Sequence, residues 1–213
     1  MEKSVQKRET ATVVVGDNFL DECGGDYLGR VQLMTSNSGD CKTGVFPINH
    51  FAHILEGEQN DLGKEIDVLL LEWRAKALDV SDKAHPVSNY DSTSEEFLDI
   101  RERSGIANSG CMWGPEFLVW LPSIRKFATF FFGSNSARKE AKKVVAIFQM
   151  AKAATFKPYH IVKSKFDWFV ARATVCSTPF EMPDEDEASK QIEKFMNPPI
   201  FVPEEEAPAL EDR

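Results

Sequence analysis

Two short runs in the C-terminal third carry cations and aromatic rings at a spacing suited to holding a charged polymer. In residues 154–163 (ATFKPYHIVK), Lys157, Tyr159, Ile161 and Lys163 fall on alternate positions, so an extended backbone presents them on one face. In residues 167–176 (DWFVARATVC), Trp168, Val170 and Arg172 do the same. An ammonium group beside an aromatic ring can neutralise a phosphate while the ring stacks a base, each stacked base being worth ~1–3 kcal/mol. The competing use of these residues is structural: Tyr159 and Trp168 at the edge of a core, with the cations in solvent.

Two further clusters have the same composition. Alternation in EWRAK sets Arg74 and Lys76 on one face and Trp73 on the other, so the cations suit a phosphate backbone and Trp73 suits either a groove or the core. In KFATFFFG (126–133) three phenylalanines are adjacent, so a strand there turns at least one outward unless both of its faces are covered. Phe130 is our candidate stacking ring from that run.

These residues sit in an island of positive charge. Between Leu121 and Arg172 there are eleven Lys and Arg, including Arg125, Lys126 and Lys165, against Glu140 and Asp167, a local net of 11 − 2 = +9 in a chain of net −9. Residues 181–213 hold eleven acids and three bases, 3 − 11 = −8, which leaves −9 + 8 = −1 for residues 1–180. A nearly neutral body thus carries one basic island, fit for phosphate contacts, and one acidic tail. The tail reads either as a solubilising end or as a polyanion mimic that competes for the basic face and recruits partner proteins; we favour the second.

Enzyme signatures are missing: the chain has no P-loop, G-x-G-x-x-G, G-x-S-x-G or H-E-x-x-H pattern. His50 and His53 stand three apart with Cys23 and Cys41 upstream, which could supply four N and S ligands, but the spacing fits no finger or ribbon and we assign no metal. The four cysteines form no C-x-x-C pair and read as reduced thiols. No apolar run is long enough to span a bilayer and the N-terminus has no secretory pattern, so the expected location is the cytoplasm, with no membrane partner.

The elements that position the clusters follow from periodicity. Strands are expected over 10–16, 30–36, the second half of 46–57, and 65–80. Residues 58–64, 81–91 and 106–114 read as loops. A helix over 92–105 opens on a capping-box pattern, Ser92 with Glu95 or Thr93 with Glu96, and ends at Gly105. Runs 116–121 and 126–132 form a hairpin around residues 122–125. A helix over 134–148 buries Ala137, Ala141, Val144, Val145 and Phe148. Runs 154–163 and 167–176 make a second hairpin. This order predicts a mainly β, OB-fold-like small barrel with inserted helices over 1–180, followed by a disordered, Pro-containing acidic tail over 181–213, in which a short helix could open at residues 184–187 and run through KQIEKFM before the prolines stop it.

Several stretches also resemble one family. PEFLVWLPSIRKFATFFFGSNSARKEA, KAATFKPYHIVKSKFDW and CSTPF, with GDYLGRVQLMTSNS and DVLLLEWRAKALD upstream, are similar to the single-stranded DNA-binding proteins encoded by tailed bacteriophages. The likeness spans roughly residues 25–200. It implies an oligonucleotide-binding barrel with a groove for single strands, a role in phage DNA replication, recombination or repair, and an acidic C-terminal tail that contacts replication or recombination proteins.

The expectation is therefore a non-enzymatic, cofactor-free, sequence-independent binder of single-stranded DNA. Its contacts are Arg74, Lys76, Arg125, Lys126, Phe130, Lys157, Tyr159, Lys163, Lys165, Trp168 and Arg172. The alternative is a replisome or recombination accessory module whose basic face docks an acidic protein.

Overall fold

The computed structural model describes residues 13–14, 28–35, 44, 46–55, 58–82, 86–163 and 166–198; for 13–14, 162–163 and 166–168 it describes the backbone only. Among them are ten strands and three helices, so the fold is mainly β, a barrel-like, OB-like curled sheet with helices. The strands are β1 (Val13–Val14), β2 (Gly29–Leu33), β3 (Phe51–Leu55), β4 (Glu58–Gly63), β5 (Ile66–Asp79), β6 (Val87–Asn89), β7 (Cys111–Leu121), β8 (Lys126–Phe131), β9 (Ala153–Lys163) and β10 (Phe166–Val175). The helices are α1 (Glu95–Arg103), α2 (Asn135–Met150) and α3 (Glu185–Met196). Sheet order is β1-β6-β5-β7-β8-β2-β3-β4, with β9 joined to the start of β5 and β10 to β9. All pairings are antiparallel except β2 with β8.

The sheet is organised by β5, whose sequence IDVLLLEWRAKALD is apolar on both faces at first and amphipathic later. A bulge at Leu71, between Leu70 and Glu72, reverses the alternation. Ile66, Val68 and Leu70 lie on one face before it, and Trp73, opposite Phe117, lies on that same face after it. Arg74 and Lys76 consequently point to the other face, opposite Glu116 and Gly114.

Each face has its own cover. Phe117, Val119, Leu121, Phe130 and Phe156 pack with Ala141, Val144 and Ile147 of α2, and Phe97 and Ile100 of α1 continue this layer against Ala77. Leu69, Trp120 and Phe127 on the opposite face pack with Phe180 and with Ala188 of α3. Fully burying a side chain of this size contributes ~1.5–3 kcal/mol, so both layers are held chiefly by apolar burial.

Local signals explain the helices. Ser134 caps α2, its hydroxyl accepting from the Ala137 amide at 3.1 Å. The cap of α1 is Ser94, two residues beyond the expected Ser92; its hydroxyl accepts from the Phe97 amide at 3.1 Å, while Glu96 accepts from Asn89 instead of closing a capping box. Ser104, not Gly105, ends that helix.

Other expectations need correction. Residues 58–63, polar enough to read as a loop, form edge strand β4, because pairing with β3 supplies their backbone partners. Residues 111–114 belong to β7 and residues 87–89 to β6. The acidic segment is not disordered throughout: Asp184 caps α3, Phe195 is buried, and the Trp120 indole donates to the Glu181 carbonyl at 3.0 Å. Residues 199–213, the rest of that segment, lie outside the described residues.

One close approach ties β2 to β3. Any Cβ on Gly29 would collide with the imidazole of His53, which is buried. Burial, with the charge of Lys126, lowers the His53 pKa against the opposing pull of Glu58. His50 bonds Asp61 at 2.9 Å, so the two histidines serve different neighbours. Among the described residues no His, Cys, Asp and Glu group is arranged to hold a metal; Cys23 and Cys41 lie outside them.

Candidate nucleic-acid interface

The hairpin of β9 and β10 extends beyond the sheet. Ala153 to Phe156 pair with β5, whereas the rest of β9 pairs with β10 alone, leaving a two-stranded arm. Register places Lys157 opposite Arg172 and Tyr159 opposite Val170, so the alternation read from sequence does gather these residues on one face. Tyr159 is 41% exposed, and the Arg172 guanidinium lies 3.0 Å from its ring centroid. Lys157 bonds Glu65 at 2.8 Å, and Arg172 bonds Glu140 of α2 at 3.2 Å. On the other face of the arm the rings of His160 and Phe169 pack 4.9 Å apart. Trp168 has its backbone in β10 opposite Ile161, and Lys163 its backbone at the end of β9. Their side chains, and Lys165 entirely, lie outside what the structure describes.

The hairpin of β7 and β8 supplies Arg125 and Lys126. Arg125 adopts a left-handed φ of 54° in the turn, is largely exposed, and bonds Glu181 at 2.5 Å. Lys126 pairs with Glu58 of β4. Phe130 does not serve as a stacking ring: it is 4% exposed and packs edge-on against Phe51 and Phe156. Strand alternation turns Phe131 outward instead, with the Lys76 ammonium 5.4 Å from its ring.

Arg74 and Lys76 are also unavailable as they stand. Glu116, fully buried on the adjacent strand, accepts from Arg74 at 2.8 and 3.0 Å and from Lys76 at 2.7 Å. The Arg74 guanidinium lies between the rings of Tyr90, 3.6 Å from its centroid, and Phe195, at 4.0 Å. It also donates to the Phe195 carbonyl, closing the last turn of α3 as a cation does at the negative end of a helix. Burial alone would raise the Glu116 pKa, but Lys76 and Arg74 outweigh it and hold the carboxyl below its ordinary range. Burial likewise opposes the charge on Lys76, and Glu116 more than offsets it, so that pKa is raised.

Magnitude separates the two kinds of pairing. Exposed ion pairs such as Lys157 with Glu65 and Arg125 with Glu181 contribute ~0–1 kcal/mol, so a phosphate can take the place of the carboxylate. Removing one partner from a buried pair costs ~3–5 kcal/mol, so Arg74 and Lys76 stay with Glu116.

Some cations of α1 and α2, three of them within the basic island, make no ion pair among the described residues. Lys139 and Lys142 are exposed on α2, while Arg101 and Arg138 stand beside Trp113. Arg101 has the spacing of an ordinary last-turn helix cation, and Trp113 looked like a loop residue. Only the packing of α1 and α2 on the same face of the sheet brings them together.

No helix among the described residues is long and apolar enough to cross a membrane. Comparisons with protein-family models, with curated proteins and with solved structures found no match for this chain.

Proposed function

We propose that this protein binds single-stranded DNA without sequence preference, in phage DNA replication, recombination or repair. The observation that carries the reading is the β9–β10 arm, where an exposed Tyr159 ring stands beside Arg172 and Lys157 on one face. A sequence-tolerant binder combines a cationic track with rings that stack any base, and the arm has both. Lys139 and Lys142 on α2 continue the positive surface. The resemblance of the chain to phage single-stranded DNA-binding proteins points the same way. The acidic C-terminal segment, whose Glu181 is paired with Arg125, competes with DNA for cations and offers a surface to replication or recombination partners. No cofactor enters this function.

A second reading, in which the basic face docks an acidic protein, has one observation in its favour. Glu181, in the acidic segment of this same chain, is already paired with Arg125 of the basic island.

The first reading makes a quantitative demand on salt. Each phosphate contact to a single strand contributes about −0.7 to the slope of log K against log salt, so five contacts give about −3.5. Titrating labelled oligo-dT over a salt series measures that slope. A slope near zero would remove phosphate contacts as the main source of affinity.

A further inference from the structure

Between the end of α1 and the start of α2 lies a wide, solvent-open depression of about 450 Å³, lined by Leu98, Arg101, Glu102, Trp113, Asn135 and Arg138, among others. That volume is in the range of small-molecule sites, about 300–1,000 Å³. Both guanidinium carbons stand 4.6 Å from the Trp113 ring centroid, and both arginines line the same space. Arg138 is held in place, donating to the carbonyls of Trp113 at 2.8 Å and Gly133 at 2.5 Å and to the Asn135 side chain. The Arg101 side chain is exposed and makes no hydrogen bond or ion pair among the described residues. Glu102, an acid in the lining, forms no ion pair with either arginine. Burial, and then the charge of Arg101, push the Arg138 pKa below its ordinary value. Two like charges held together without a counter-ion are relieved by a ligand anion, and guanidinium forks match phosphate oxygens in pairs. Leu98, 46% exposed, adds an apolar wall against which a planar group can lie.

We infer that this pocket binds the phosphate of a nucleotide between Arg101 and Arg138, with its base toward Leu98. The site stands on its own geometry and does not require the strand-binding arm.

Calorimetric titration of the full chain with dTMP, inorganic phosphate and thymidine tests it. The expected result is saturable binding of dTMP at one site, competition by phosphate, and no binding of thymidine. R101Q removes an exposed side chain whose one described contact is its stacking on Trp113 and is expected to weaken dTMP by about tenfold or more, the value of a charge-assisted contact. R101K, which keeps the charge and loses the fork, should fall between the two. Saturable thymidine binding, no saturable dTMP binding, or R101Q and wild type binding dTMP alike overturns the assignment. Oligo-dT is titrated in parallel: binding of dTMP without oligo-dT leaves the pocket and removes the strand reading, and the opposite outcome does the reverse.

Discussion

Replacing Glu116 by Gln is expected to destabilise the protein by ~3–5 kcal/mol, because it leaves two largely buried cations facing a neutral amide. The side-chain exposures of Arg74, Lys76 and Glu116 are 12%, 16% and 2%, so water can replace the lost carboxylate only in small part. Arg74 also fixes the last turn of α3, so the loss should spread to the helix docked there. Urea denaturation of E116Q and wild type, followed by tryptophan fluorescence, measures the difference as a shifted midpoint at similar slope. A change below about 1 kcal/mol, the value of an exposed pair, would contradict the account.

The same carboxylate sets a pH dependence. Its folded pKa lies below the ordinary 4.5, so its stabilising contribution is complete above pH 4.5 and is lost as pH falls through the folded value. Lys76 has the opposite sign: raised above 10.5, its contribution is complete below that pH and disappears as pH rises through its folded value. E116Q should lack the acid component while keeping what the other carboxylates contribute.

Tyr159→Ala is expected to lower affinity for oligo-dT by ~1–3 kcal/mol, the value of one stacked base, or about 5- to 150-fold. Tyr159→Phe keeps the ring and should bind nearly as the wild type does. Because Tyr159 is 41% exposed, the alanine variant should unfold close to the wild-type midpoint, which separates binding from folding. Alanine and wild-type affinities within a factor of about two would remove Tyr159 from the binding face, since that is well under the loss of one stack.

The parts of this fold that sequence exposes are those whose period is local. The apolar stripe of α2, the alternation in β9 and β10, and the turn between β7 and β8 each lie within one segment, and the structure has them close to where periodicity puts them. The polar strand β4 has no such signal; it is extended because β3 pairs with it. Phe130 and Phe131 could not be told apart until register fixed which one faces Phe117. Glu116 is the single acid in the apolar run PEFLVWLP, and its partners lie forty residues and more away on β5, past a bulge that sequence does not announce. That distance explains why Arg74 and Lys76 look free in the sequence and are engaged in the fold. The meeting of Arg101 and Arg138 at Trp113 is hidden for the same reason, since no local pattern links an exposed helix end, a strand and a second helix.

The central claim is that a stacking face and a cationic track act together on single strands. Titrating the full chain with oligo-dT and with duplex DNA of equal length, at one moderate salt concentration, tests it most directly. We predict that oligo-dT binds at least about tenfold more tightly, because stacked bases in a duplex cannot be offered to Tyr159. Equal affinity for both would mark the arm as a simple charged patch and shift the function to docking of an acidic protein, and binding to neither would exclude a nucleic-acid role for it.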